Sequence, residues 1–386
     1  MSVFTASAHA QSSVTIYGAV DASLSYTNKI ITSGQKTGSL VALDSGLLKG
    51  SRLGVKGVED LGGGLKALFT IENGFNLDTG EAGQKGVMWG RQSTVGLAGN
   101  FGTVLAGRQK DVLDDIGSIT SAGDFGGVVS RVHSLNLDRT NGERVNNSIR
   151  YNTPDLHGFT GSVIYGFGEE AGNGGSGQSF GLGGMYANGP LNIGLGYFQS
   201  KMGDAKTASD VNGAAACNGN DVTKNKNGDV CLRTWTLATA YQFGPVKVYG
   251  AYSSVKLPLA RDGKFNPTLL KPNSYGFEPG SNYVIGGFNN ESTSTWDLGA
   301  KYSLAPAVSL IGSVQFTRAK FVKKDDGRLT QFSLGAKYDL SKRTTAYTVV
   351  THLRSADMYN VGLAKDRVPG IDRSQTAVSA GVIHSF

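Results

Sequence analysis

Apolar and polar residues alternate with period two in short runs spread along the whole chain. In residues 65–72, Leu65, Ala67, Phe69 and Ile71 alternate with Lys66, Leu68, Thr70 and Glu72. In 191–198 the apolar set is Leu191, Ile193, Leu195 and Tyr197; in 295–302 it is Trp296, Leu298, Ala300 and Tyr302. In 332–339 it is Phe332, Leu334, Ala336 and Tyr338, facing away from Ser333, Gly335, Lys337 and Asp339. The chain closes on the same pattern, with Val378, Ala380, Val382, His384 and Phe386 on one face. Side chains on a strand point alternately to its two faces, so each run predicts a strand with one greasy and one wet side.

A soluble sandwich alternates in the same way, and the connections separate the two cases. Seven short turns, near 59–64, 98–102, 153–158, 186–190, 242–245, 303–307 and 339–343, alternate with eight long polar stretches. The long stretches are roughly 28–50, 76–88, 110–146, 168–178, 202–232, 256–292, 320–328 and 355–373. That order predicts sixteen strands with both termini on the short-turn side. Short turns on one rim and long loops on the other fit an all-β fold, a 16-stranded antiparallel transmembrane β-barrel. Closure is required there, because lipid cannot satisfy open backbone edges. Tyr186, Tyr241, Tyr302 and Tyr338 fall where strands meet short turns, and Trp235 falls at the opposite end of its strand. Two interfacial girdles would place aromatics so, although ordinary strand-end packing gives the same positions.

Composition changes this picture little. No run reaches the ~18 apolar residues of a transmembrane helix, and a mean hydropathy of −0.17 is what alternation produces on averaging. The 56 glycines sit inside strands and at turns. A net charge of +7 raises nucleic acid as a partner, but the basic residues form no single tract and acids are interspersed, so no nucleic acid is expected. Ala8-His9-Ala10 reads as a secretory cleavage signature, which makes 1–10 the residual end of a signal peptide and 11–386 a single barrel domain. A short disordered leader is the alternative. Cys217 and Cys231 share one polar loop, a possible disulfide in an exported protein and a poor zinc site. His133, His157, His352 and His384 lie in no hydrolase or metalloprotease motif, and no phosphate-binding loop with its lysine occurs, so an enzyme is not expected.

Longer motifs carry a resemblance. Gln11-Ser-Ser-Val-Thr-Ile-Tyr-Gly-Ala-Val-Asp21, Ser51-Arg-Leu-Gly-Val-Lys-Gly-Val-Glu-Asp-Leu-Gly-Gly-Gly-Leu-Lys-Ala67, Gly99-Asn-Phe-Gly-Thr-Val-Leu-Ala-Gly-Arg-Gln109 and the terminal Phe386 resemble the general porins of β-proteobacteria from Gln11 to the end. The resemblance implies a homotrimer of sixteen-stranded barrels in the outer membrane. Lipid and lipopolysaccharide would surround it, and small hydrophilic solutes would pass without cofactor or energy input. It also implies a third long loop folded inward, its acids facing a basic wall.

Strand order by itself brings Arg52, Arg91, Arg108 and Arg144 towards one rim on neighbouring strands. The resemblance matches Arg52, Arg91 and Arg144 to the family's basic ladder, while Arg108 rests on strand position alone. Lys56 and Lys66 share the polar face and extend the track. Loop 110–146 supplies Asp111, Asp114, Asp115, Asp124, Asp138 and Glu143 as the acidic side, each of which would be equally at home simply solvated. Basic rings favour anions, so a mild anion preference is expected. A substrate-specific anion channel of the same fold is the alternative.

Overall fold

The computed structural model describes residues 12–386 except 33–35, 85–86, 135–136, 143, 170, 173–176, 202–231, 257–289, 322–324, 359 and 365–371. Residues 1–10, Glu143 and both cysteines therefore lie outside the described residues. Among the described residues seventeen strands form one sheet: β1 (Ser13–Ile31), β2 (Thr37–Ser45), β3 (Arg52–Gly62), β4 (Leu65–Gly74), β5 (Gln92–Gly99), β6 (Gly102–Lys110), β7 (Arg144–Asn152), β8 (Phe159–Gly166), β9 (Ser179–Asn188), β10 (Leu191–Ser200), β11 (Leu232–Phe243), β12 (Val246–Lys256), β13 (Asn290–Ala305), β14 (Val308–Phe321), β15 (Gly327–Asp339), β16 (Thr344–Ala356) and β17 (Ser374–Ser385). From β3 onward each pairs antiparallel with its sequence neighbour. The sheet closes where β1 pairs β17, from Ala19↔Ser385 to Thr27↔Ala377. The backbones of Gly18 and Phe386 exchange two hydrogen bonds, at 3.0 and 3.1 Å, beside that seam.

Sixteen wall positions arise from seventeen strands because β2 and β3 lie end to end along β1. Residues 22–31 of β1 pair with β2, and residues 13–19 pair with β3. The expected long first loop over 28–50 is thus corrected. β2 pairs antiparallel with the end of β1, the Thr32 amide donates to the Lys36 carbonyl at 2.8 Å, and 37–45 is wall. Residues 46–51 then leave the ladder before Arg52 rejoins it.

The two faces are inverted relative to a soluble protein. Leu334, Leu195 and Trp296 are exposed on the outside (66, 56 and 55%), whereas Asp21, Thr236 and Ser121 are sealed inside at 0%. An apolar exterior of this extent belongs in lipid, which excludes the sandwich. On that exterior Tyr252 stacks between Trp235 and Trp296, with ring centroids 5.0 and 4.5 Å away, an aromatic band at the long-loop end of three adjacent strands.

Between β6 and β7 the third loop folds into the barrel. It carries α1 (Leu113–Gly117), α2 (Ser121–Phe125), a 3-10 turn (Gly127–Val129) and α3 (Arg131–Ser134). Helix α1 lies against β9–β11, α2 against β13 and β14, and the 3-10 turn against β15 and β16. Inward-facing glycines make room for it. A Cβ on Gly194 or Gly196 would come within 3.0 Å of Ile116 or Leu113, and one on Gly335 within 2.8 Å of Phe125. Leu113, Ile116, Phe125 and Val129 are fully buried there, each contributing about 1.5–3 kcal/mol by leaving the water of the bore.

Candidate functional site

One side of the narrowed bore is an arginine wall. Arg52 opens β3, Glu72 lies near the end of β4, Arg91 stands just ahead of β5, and Arg144 opens β7. Register brings them level, since Arg52 pairs with Gly74 and Glu72 with Gln92. Arg91 Nε donates to Glu72 Oε1 at 2.6 Å, and Arg52 reaches the same oxygen at 4.0 Å. Arg52 Nε also donates to the Gly50 carbonyl at 2.9 Å, and Arg144 Nε to that of Arg91 at 3.2 Å. Backbone acceptors thus hold the Arg52 and Arg144 guanidinium planes while leaving their charge in place, and Glu72 holds that of Arg91.

The other side is a lysine wall. Lys247 of β12 is registered directly opposite Lys301 of β13, and Lys337 of β15 is registered opposite Ser309 of β14. Asp124 of α2 answers this like-charge pair. Its carboxylate lies 3.2 Å from Lys247 Nζ and 3.3 Å from Lys301 Nζ, and the Tyr249 hydroxyl donates to it. Lys337 Nζ donates to the Asp124 carbonyl at 2.8 Å. Burial works to raise the Asp124 carboxyl, but Tyr249, Lys301 and Lys247 outweigh it and hold it at about 2. One strand pair further, the Ser121 hydroxyl donates to the buried Asp297 carboxylate at 3.0–3.1 Å, and Gln315 donates to it at 2.8 Å.

Between the walls lies a cavity of about 800 Å³, lined by nine lysines and arginines (among them Arg52, Arg91, Arg144, Lys301 and Lys337) against three aspartates, Asp114, Asp124 and Asp339. A polar side chamber of about 290 Å³ adjoins it, lined by Arg52, Glu72, Arg91, Lys110, Arg144 and Arg150 among others.

Of the sequence-predicted residues, Arg52, Arg91, Arg144, Asp114 and Asp124 line the main cavity. Arg108 lines neither chamber. The β6–β7 register shifts after Gly107, and Arg108 pairs with Ser93 of β5 on the face that carries Val95 and Val104, where Arg108 itself is buried at 9%. Its Nε donates to the Gly90 carbonyl at 2.9 Å and its Nη1 to Asn146 at 2.5 Å.

Apart from Asp124, the described loop acids, cavity-lining Asp114 included, are committed within the loop or to its neighbours. Asp111 accepts from the Leu113 amide at 2.8 Å. Asp114 accepts from Lys110, and Asp115 from Arg150. Burial pushes the Asp115 carboxyl up, against the pull of Arg150. Asp138 is enclosed with His133 and Thr140. Burial raises its carboxyl, but those two partners outweigh it and hold it below the usual range. Lys56 stands over the Tyr17 ring at 5.4 Å, and Lys66 is exposed opposite Asp60 at the short-turn rim.

Glu72, Lys110, Arg150 and Lys247 were not foreseen as site residues, and neither were Lys301 and Lys337. The signal for Glu72, Lys301 and Lys337 was present, because alternation already put them on wet faces.

A family model described as Gram-negative porin matches residues 1–357. The chain is 33% identical to outer membrane porin protein 32 of Delftia acidovorans over 98% of its own length and 95% of the relative's. It is 28% identical to an outer membrane porin of Bordetella pertussis, covering 99% and 97% of the two chains. Among solved structures, the anion-selective porin from Comamonas acidovorans superposes with a TM-score of 0.67 at 28% identity, covering 97% of this chain and 100% of that one.

Proposed function

The chain belongs to the Gram-negative porin family and forms a β-barrel channel in the outer membrane, and from that premise we propose that it passes small hydrophilic solutes by passive diffusion with a mild preference for anions. The observation that carries the preference is the excess of lysine and arginine over aspartate lining the narrow cavity. Fixed positive charge in a confined bore raises the local anion concentration and lowers that of cations. Loop 3 supplies the narrowing, and its acids are largely spent on holding it in place. The similarity to an anion-selective porin agrees with this reading.

Porin relatives point to a channel rather than an enzyme, and the reading assigns no catalytic residue and no cofactor. It takes the working assembly to be a homotrimer set among outer-membrane lipid and lipopolysaccharide. The short turns and termini would be periplasmic and the long loops extracellular.

The test is swelling of liposomes holding the reconstituted protein, with anionic and cationic solutes of matched size. Faster entry of the anionic member supports the reading, and equal or slower entry defeats it. A substrate-specific anion channel is separated in the same system by concentration dependence. Saturation by one anion favours that alternative, and a rate proportional to concentration favours general diffusion.

A further inference from the structure

Residues 46–51 are an excursion in the middle of the barrel wall. β2 ends at Ser45 and β3 begins at Arg52, both on the same edge of β1, and the segment between them leaves that edge. Lost ladder bonds are costly in a wall facing lipid. Here a dedicated group replaces them. The carboxylate of Asp21, fully buried on β1, accepts from the amides of both Leu48 and Lys49 at 2.8 Å and from the Tyr347 hydroxyl at 2.7 Å. The backbone of Asp21 also accepts from the Gly46 amide at 2.9 Å, and its own amide donates to Ser51 Oγ at 3.1 Å.

The tip of the excursion meets loop 3 inside the bore. Leu48 packs against the cluster of Ala122, Phe125, Val129 and Tyr347. The Leu48 carbonyl lies 2.3 Å from where a Cβ on Gly126 would stand, and Gly126 has a φ of +88°. No side chain fits at that contact. Lys49, next in sequence, lines the main cavity with Arg52, Arg91 and Lys337. It interacts electrostatically with Arg52 and Arg91 on one wall and with Lys337 on the other.

We propose that residues 46–51 form a second inward constriction element, with Lys49 a selectivity-determining residue of the pore and Asp21 the positioning residue that holds it. This rests on the anion-preferring channel proposed above. A strand running straight through 46–51 would leave position 49 in the wall. The excursion instead carries its charge to the gap between the arginine and lysine walls.

The experiment compares Lys49→Glu with Arg52→Glu in reconstituted channels, reading the anion-to-cation permeability ratio from the zero-current potential in a salt gradient. Lys49→Glu should lower the ratio about two-fold or more, as Arg52→Glu does. A shift with Arg52→Glu and none with Lys49→Glu overturns the proposal and leaves the channel reading standing. A wild-type channel without anion preference removes that reading and this proposal together.

If Lys49→Glu does not assemble, Lys49→Cys treated after assembly with a negatively charged methanethiosulfonate reagent gives the same answer. The wild-type channel, with its own two cysteines, sets the background. A drop in current beyond that background supports the assignment, and an unchanged current after labelling confirmed by mass overturns it.

For Asp21, the readout is coupling. In an Asp21→Asn background the effect of Lys49→Glu on the ratio should shrink while that of Arg52→Glu persists. Equal weakening of both marks Asp21 as merely structural and overturns its assigned role.

Discussion

The two walls of the bore carry the same sign of charge and use it differently. On the arginine wall one carboxylate, Glu72, is contacted by Arg91 and Arg52, and the rest of the hydrogen bonding described for these guanidinium groups goes to carbonyls. On the lysine wall the loop carboxylate of Asp124 is gripped by Lys247, Lys301 and Tyr249 together, and Lys337 holds the adjoining carbonyl. Arginine keeps its charge while neutral acceptors fix its plane, so it suits a standing field. Lysine is a flexible point charge that can reach a loop, so it suits an anchor. Charge in a pore lining is therefore not one property. Its contribution to selectivity depends on how much of it is already spent on holding structure.

The sharpest way to break that contrast is charge reversal on each wall. Arg52→Glu with Arg91→Glu should lower the anion-to-cation permeability ratio by about tenfold. Lys247→Glu with Lys301→Glu should change it less and destabilise loop 3 more, seen as current noise. Equal selectivity shifts from the two walls would erase the distinction. Next in size is Asp124→Asn. It frees both lysines, so current noise should rise and voltage-driven closure should start at lower voltage, with a small move towards anions. Quiet, unaltered channels would mean that Asp124 is not an anchor.

The same anchor has a pH signature. The Asp124 carboxyl is depressed to about 2 in the folded protein, against roughly 4 in an unfolded chain. Its stabilising effect is therefore complete above the unfolded value and is lost as pH falls through the folded one. Channel noise in wild type should stay flat from neutral pH to roughly 4 and rise only below that. The smallest effect is expected at Lys66, exposed at the rim opposite Asp60. Lys66→Ala should leave the permeability ratio within measurement error, and a shift as large as that of Arg52→Glu would extend the selective zone to the short-turn rim.

The wall was legible wherever alternation is strict. β13, β15 and β17 put Trp296, Leu334 and Val382 outside as the pattern requires. The strand over 37–45 was not legible. Its start is polar, and the run Gly46-Leu-Leu-Lys-Gly50 that follows reads as loop, so period two had no clean window. Arg108 shares the parity of Val104 and Ala106 on β6, so alternation itself directs it to their face, which strand position along the rim does not reveal. Arg52, Arg91 and Arg144 were reachable from strand order. The lysine wall was half legible, since parity gives Lys301 and Lys337 an inward direction. Only the course of loop 3 shows which carboxylate they meet. That course depends on small inner-wall residues, Gly194, Gly196 and Gly335, which lie far from the loop in sequence; period two directs them inward but does not tell which of them the loop packs on.

The narrow cavity, with nine lysines and arginines against three aspartates in its lining, holds a net positive field that sorts ions. The most direct test is the zero-current potential of the unmodified channel in a planar bilayer under a gradient of potassium chloride. A potential whose sign reports chloride as the more permeant ion is the predicted result. A potential reporting potassium as the more permeant ion would contradict the account.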